Sequence, residues 1–330
     1  HAAQHSALAY HYEQALNHPK ACLYLEKAGA AARKAFENSS ALDYYARLIA
    51  ILSQDAAGSD LASRLIAALM QQVAILQHTS SWAAARAVAS EALELAIQQN
   101  MPAAQAETQG WIGHLWGLSS DYAQALSCQN QALEFYRRSN DAEGLARTLN
   151  GIGMVYRDQG AFDQALPYYQ ESLAISQAHG MQRNTAQALN NIGLLYWNLS
   201  DYEQSLHSYQ AALNLSRQIA DKVLIGTILG NLGLLYWQWG QPAQALEYYQ
   251  QALQLGQELG NRANVAKALG NLGLLHADQS EHDQALEYYQ QALDLDRELG
   301  NEAGVARQLG NTGLIYGNQG FFDQALRYHQ

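Results

Sequence analysis

The 330-residue sequence is poor in proline, cysteine and positive charge, and each shortage argues against a class of protein. Its four prolines leave long stretches free of helix breakers, which favours helix nearly throughout. Cys22 and Cys128 lie far apart and belong to no CxxC pair, so they are typical of reduced intracellular thiols. With 19 Lys and Arg against 30 Asp and Glu, the formal charge is −11, which disfavours a general binder of nucleic acid or anionic membrane.

Long hydrophobic runs are also missing. No apolar run reaches the roughly 18 residues that a membrane-spanning helix needs, and no signal peptide is evident, so we expect a cytoplasmic protein. Hydrophobic residues nevertheless make up 48% of the chain, which is enough for a buried core. The sequence opens with His1 and stops at Gln330 just after a helical pattern resumes, so we expect a piece of a longer protein.

What is present is an internal repeat. From about residue 102 the sequence recurs every 40 residues. One half reads LNNIGLLY from residue 189, LGNLGLLY from 229 and LGNLGLLH from 269. The other half reads YEQSLHSYQAAL from 202 and PAQALEYYQQAL from 242. Because apolar residues fall at helical spacing in both halves, each repeat is predicted to be two antiparallel helices of about 17 residues.

Residues that favour the end of a helix recur every 20 residues, which is half of the 40-residue period. Glycine and asparagine tolerate the left-handed backbone that ends a helix, and Asp or Asn can cap the helix that follows. The predicted turns lie at Asn100, Ser120, Asn140, Gly160, Gly180, Ser200, Ala220, Gly240, Gly260, Ser280, Gly300 and Gly320. The predicted caps are Asp121, Asp141, Asp201, Asp221, Asn261 and Asn301.

Glycine also recurs in the middle of the first helix of each repeat, where it costs about 1 kcal/mol relative to alanine. The positions are Gly193, Gly233, Gly273 and Gly313. We predict that another helix approaches closely at these glycines. The expected counterparts on the second helix are Ala165, Ala245, Ala285 and Ala325.

These landmarks resemble the tetratricopeptide repeat family, and the 40-residue period is similar to its long-repeat members, the Leu-Gly-Asn repeat adaptors and kinesin light chains. The resemblance implies an all-α fold, a right-handed superhelical solenoid of antiparallel helix pairs. We expect degenerate helical repeats over residues 1–100 and regular 40-residue repeats over 101–330, the last one truncated, in one continuous solenoid.

A second resemblance concerns the start of the chain. The run from Tyr10 to Gln14, together with the residues after it, resembles the segment after the nucleotide-binding core in bacterial signal-transduction ATPases of the MalT and AfsR type. This implies that the parent chain carries an ATPase upstream.

The family resemblance also places a ligand. In this family the first helices line a concave groove, and the residue two before the mid-helix glycine contacts a bound peptide. Here that row is Asn191, Asn231, Asn271 and Asn311. An asparagine amide both donates and accepts hydrogen bonds, as a peptide unit does. The alternative is that these asparagines bond only to the neighbouring repeat.

Six further residues are candidates for the same groove. They are Trp197, Trp237, Arg147, Arg157, Lys267 and Arg307. Tryptophan and arginine anchor many protein interfaces, and basic groups in an acidic protein predict a partner with acidic or carboxylate groups. Alternatively, the tryptophans pack between repeats and the basic side chains are solvated.

Catalytic motifs are not evident. No HExxH or Cys/His ligand group accompanies His1 and His5, no GxSxG occurs, and the GxxG runs lie in a helical pattern without GK[ST]. We therefore predict no enzymatic activity, cofactor or metal.

The preferred function is a protein-interaction or sensor scaffold within a larger signalling protein, whose groove binds a peptide, a partner or another domain of its own chain. The alternative is a small-molecule effector-sensing domain of a multidomain ATPase regulator, which a pocket among Trp197, Trp237 and Arg157 would support. Apolar surface exposed from Phe322 onwards also predicts self-association through the truncated end.

Overall fold

The computed structural model describes residues 2–54, 59–79 and 81–329, and all regular structure within them is α-helical. The all-α prediction is therefore confirmed, and most helices have the predicted 17 residues. The helices are α1 (Ala2–Gln14), α2 (His18–Lys34), α3 (Asn38–Gln54), α4 (Ser59–His78), α5 (Trp82–Gln98), α6 (Pro102–Leu118), α7 (Tyr122–Ser139), α8 (Ala142–Asp158), α9 (Phe162–Ala178), α10 (Gln182–Asn198), α11 (Tyr202–Gln218), α12 (Lys222–Gln238), α13 (Pro242–Leu259), α14 (Arg262–Asp278), α15 (His282–Glu298), α16 (Glu302–Asn318) and α17 (Phe322–His329).

The helices form two compact units, His1–Gly160 and Ala161–Gln330. The first unit contains α1 to α8 and the second contains α9 to α17. Within each unit, consecutive helices pack against each other as antiparallel neighbours. The boundary between degenerate and regular repeats, predicted at residue 100, lies inside the first unit. A single continuous solenoid stays a prediction.

The turns lie where the sequence pattern places them. All twelve predicted turn residues have a positive φ, including the non-glycines Ser200 at 59° and Ala220 at 54°. All six predicted caps are also confirmed, because each Asp or Asn side chain accepts a hydrogen bond from the backbone N–H three residues later. These turns and the starts of these six helices are therefore set by residues within one helical turn.

Three of the four predicted mid-helix glycines are explained by a tyrosine ring. A Cβ at Gly233 would lie 2.5 Å from Cδ1 of Tyr249, and a Cβ at Gly273 would lie 2.5 Å from Cε1 of Tyr289. Close approach of the second helix is as predicted, but at Gly233 and Gly273 the nearest atoms belong to the tyrosine rings and not to the expected alanines. Ala245 is buried, yet the nearest atoms belong to the tyrosine sixteen residues after the glycine.

Two glycines of α12 give a matched test of this contact. The Cβ of Gly233→Ala would overlap the Tyr249 ring, so we expect the variant to be about 1–3 kcal/mol less stable. The Cβ of Gly230→Ala would meet nothing within 4 Å, so better helix propensity should stabilise that variant by up to about 1 kcal/mol. Urea unfolding of both variants measures the change in the free energy of unfolding. Changes of the same sign in the two variants would contradict the packing argument.

Candidate ligand-binding face

The first helices of the second unit share one accessible stripe. Neighbouring members of the set α10, α12, α14 and α16 contact each other. Their accessible positions lie four and then three residues apart, which places them on one side of each helix. We call this stripe the first-helix face. Its rows are Gln187, Thr227, Lys267 and Arg307; then Asn191, Asn231, Asn271 and Asn311; then Leu194, Leu234, Leu274 and Leu314.

The leucine row was not predicted from sequence. Leu194, Leu234 and Leu274 are half-buried and Leu314 is exposed, so this row places apolar surface beside the asparagines. Its signal in the sequence is the leucine that recurs three residues after each asparagine. The face therefore combines amide groups with apolar contact area.

The asparagine row divides into two parts. Asn231 donates through Nδ2 to Oδ1 of Asn190 at 2.9 Å, which joins α12 to α10. Asn190 also donates to Asn191 at 3.5 Å. By contrast, Asn271 and Asn311 make no side-chain hydrogen bond to any residue that the structure describes. The alternative interpretation thus applies to Asn231, which bonds to the neighbouring repeat, while the amides of the last two are available to a ligand.

Lys267 and Arg307 are exposed at equivalent positions of α14 and α16. Within the described ranges, neither forms an ion pair with a carboxylate. Although the Lys267 side chain is accessible, nearby protein displaces part of its water and lowers its pKa, and the positive charge of Arg307 lowers that pKa further. The two cations therefore form an uncompensated positive site in an acidic chain.

The other two predicted basic residues belong to the first unit and have protein partners. Arg147 is exposed and donates through Nη2 to the hydroxyl of Tyr136 at 3.3 Å. Arg157 is half-buried and pairs with Asp158 at 2.6 Å. Their contact with a ligand stays a prediction.

Both predicted tryptophans are half-buried against the core of the second unit. Trp237 donates through Nε1 to Oδ2 of Asp278 on the next repeat at 3.3 Å. The Nε1 of Trp197 is buried and has no partner among the described residues. The tryptophans thus pack between repeats, as the alternative interpretation expected, and a role in ligand binding stays a prediction.

Apolar side chains are exposed near α17. Phe322 is 73% exposed, and Phe321 and Leu326 are also largely accessible. Self-association through this surface stays a prediction.

Metal-ligand groups and membrane-spanning helices are both missing from the described ranges. No three His, Cys, Asp or Glu side chains there are grouped so that they could hold a metal ion. None of the helices in those ranges is both long enough and apolar enough to cross a bilayer. His1, one of the two N-terminal histidines singled out in the sequence, lies outside the described residues.

Helix pairs of this length, with a glycine of the first helix against an aromatic ring of the second, define a tetratricopeptide repeat protein. The tetratricopeptide repeat family matches residues 104–178, 184–258 and 259–330, and the chain belongs to that family. A comparison with curated protein sequences gave no match.

Several solved structures are similar to this chain. A Rap protein complexed with competence and sporulation factor has a TM-score of 0.70 at 13% identity, over 99% of this chain and 95% of that one. The Rap conjugation gene regulator of plasmid pLS20, in complex with the Phr* peptide, has a TM-score of 0.64 at 14% identity, over 86% and 74%.

A third similar structure is a signal-transduction ATPase with numerous domains from Pyrococcus horikoshii, which has a tetratricopeptide repeat sensor. Its TM-score is 0.57 at 15% identity, over 95% of this chain and 49% of that one. At these identities the similarities show the fold alone.

Proposed function

We propose that this chain is an interaction scaffold that binds an acidic peptide segment along the first-helix face of its second unit. The observation that carries the proposal is the group of Lys267, Arg307, Asn271 and Asn311. Two adjacent cations without a carboxylate partner stand beside two amides without hydrogen bonds to the described residues. A peptide carboxylate would compensate the cations, and the peptide backbone would satisfy the amides.

The neighbouring leucines favour a peptide with at least one apolar side chain. Leu274 and Leu314 lie three residues after the two unpaired asparagines, on the same stripe. A bound peptide would therefore place an acidic group on the Lys267 and Arg307 row and an apolar group on the leucine row, with the asparagine row between them. A solved relative in fold, the Rap regulator of plasmid pLS20, was determined with a peptide, which supports this class of ligand.

The role we propose is binding and not catalysis, since the chemistry of the face is recognition by charge, amide and apolar groups. We further propose that the chain acts as a sensor within a larger signalling protein, of which an ATPase domain would be another part. Ligand capture on this face would then shift the parent protein between two states.

A labelled hexapeptide library tests the proposal. Its members carry one Asp or Glu and a free carboxyl terminus, and a matched library carries Asn or Gln and an amidated terminus. We expect the full chain to bind members of the acidic library, and Lys267→Ala/Arg307→Ala to weaken that binding about tenfold or more. Fluorescence anisotropy measures both affinities.

The control removes the same charge elsewhere. Lys222 and Arg327 are exposed and lie outside the rows of the first-helix face, so Lys222→Ala/Arg327→Ala should leave the affinity unchanged.

Because the pKa of Lys267 lies below its ordinary value, the affinity for acidic peptides should also fall as the pH rises toward that pKa. The Lys267→Arg variant should remove this fall, because arginine stays charged. Equal binding of both libraries, or equal loss in both double variants, would overturn the proposal.

A further inference from the structure

The first unit contains a cavity of about 330 Å³ between α2, α3 and α4. Tyr45, Leu48 and Ala68 are buried residues of its lining and form an apolar floor. Four polar residues also line it, Glu26, Arg33, Arg64 and Gln71, and the exposed Ala30 and Ala67 make up the rest. This volume lies at the lower end of the range for small-molecule sites, which is about 300–1,000 Å³.

The polar lining carries a net positive charge. Arg64 donates through Nε and Nη2 to the same oxygen of Glu26, at 3.2 and 2.7 Å, so these two charges compensate each other. Arg33 donates through Nη1 to the amide oxygen of Gln71 at 2.5 Å. In the part of the chain that the structure describes, Arg33 has no carboxylate partner. One guanidinium charge is thus available to a ligand.

Tyr45 adds an unpartnered hydroxyl to this lining. The residue is only 4% exposed, and its hydroxyl makes no hydrogen bond to a described residue. A Cβ at Gly29 would lie 2.9 Å from Cζ, the ring atom that bears this hydroxyl. Gly29 lies on α2 one turn from both Glu26 and Arg33, so the missing Cβ lets the ring tip reach the polar lining. Burial raises the pKa of Tyr45, which keeps the hydroxyl a donor.

We propose that this cavity binds a small monocarboxylic acid. The carboxylate would pair with Arg33 and accept a hydrogen bond from the Tyr45 hydroxyl, while a short apolar body lies against Leu48 and Ala68. One negative charge matches the one uncompensated cation. The site is built from the first unit alone and does not depend on the peptide-binding face proposed for the second unit.

Binding is tested by isothermal titration of the full chain with butyrate, pentanoate and hexanoate, and with the corresponding neutral amides. We expect at least one acid to bind and its amide to bind about tenfold more weakly or not at all, because a charge-assisted pair with Arg33 is lost. Arg33→Gln should weaken the acid about tenfold, and Tyr45→Phe should weaken it severalfold by removing one donor.

The control is Arg138→Gln, which removes an exposed guanidinium of α7 that pairs with its helix neighbour Glu134. It should leave acid binding unchanged, and circular dichroism of each variant confirms that the helices persist. Equal binding of acids and amides, or no binding of any acid at millimolar concentration, overturns the proposal. Binding of a peptide carboxyl terminus without binding of the free acids also overturns it.

Discussion

Replacing Tyr249 with alanine is expected to lower the free energy of unfolding by about 3–5 kcal/mol. The ring is 1% exposed and fills the space left by the missing Cβ of Gly233, so its removal leaves a cavity between the two helices of one repeat. Tyr248→Ala, on the same helix, is the matched control. Its half-buried ring stacks on Tyr236 with 5.3 Å between centroids, and a smaller loss of about 1 kcal/mol is expected.

The same position allows a test of coupling. If Gly233→Ala is destabilising because its Cβ overlaps the Tyr249 ring, that cost should disappear in the Tyr249→Ala background. The added methyl group should then stabilise the protein, by helix propensity and by filling part of the cavity. Urea unfolding followed by circular dichroism gives all four free energies. Additive effects of the two substitutions would show that the glycine has another role.

The second large effect is expected at Asn301. Its side chain caps α16 through the N–H of Gly304 at 3.2 Å, and its Nδ2 donates to Asp296 at 2.7 Å. Asp296 is 1% exposed, and Gln308 donates to its other oxygen at 3.2 Å. Asn301→Ala removes the cap and one partner of a buried carboxylate together. We expect a loss of about 2–4 kcal/mol.

Asn261 provides the control for this prediction, because it caps α14 in the same way, through the N–H of Asn264 at 3.1 Å. The residue equivalent to Asp296 is Gly256 there, so Asn261→Ala should lose only the cap, about 1 kcal/mol. In an Asp296→Gly background, Asn301→Ala should likewise cost no more than the cap. Equal losses for both asparagines in the native background would contradict the role given to Asp296.

Local features of the fold could be predicted from the sequence because each depends on few neighbours. A turn at Ser200 or Gly240 and a cap at Asp201 need only residues within one helical turn. The same turn was not predicted at Leu16 and Phe36, although their φ values are 51° and 58°. Bulky residues seldom adopt this conformation, so nothing in the composition marked it.

Contacts between helices were harder to predict. The spacing showed that glycine needs a close neighbour, but it did not show whether an alanine or the tyrosine four residues later reaches it. Gly29 and Tyr45 have the same spacing of sixteen residues as Gly233 and Tyr249, and this signal for the cavity in the first unit was missed. The cavity itself is lined by side chains of three helices, and the repeat pattern did not predict that these side chains lie close together.

The asparagine row shows a similar limit. Asn231 and Asn271 occupy equivalent positions, yet only Asn231 has a neighbour among the described residues that accepts its amide. The difference lies one repeat away, where Asn190 precedes Asn191 while Gly230 precedes Asn231. The family resemblance assigns the same role to every asparagine of the row. Whether an amide is available to a ligand depends instead on whether the preceding repeat supplies an acceptor for it.

The hydrogen bonds between repeats, such as Asn231 to Asn190 and Trp237 to Asp278, join residues 41 positions apart. Each repeat therefore meets its stabilising partner within about one further period of chain, and the contact order is low. During synthesis, a completed helix pair can dock on its predecessor while later repeats are still inside the ribosome. Folding can thus keep pace with translation, and little apolar surface stays exposed before the residues that cover it have been synthesised.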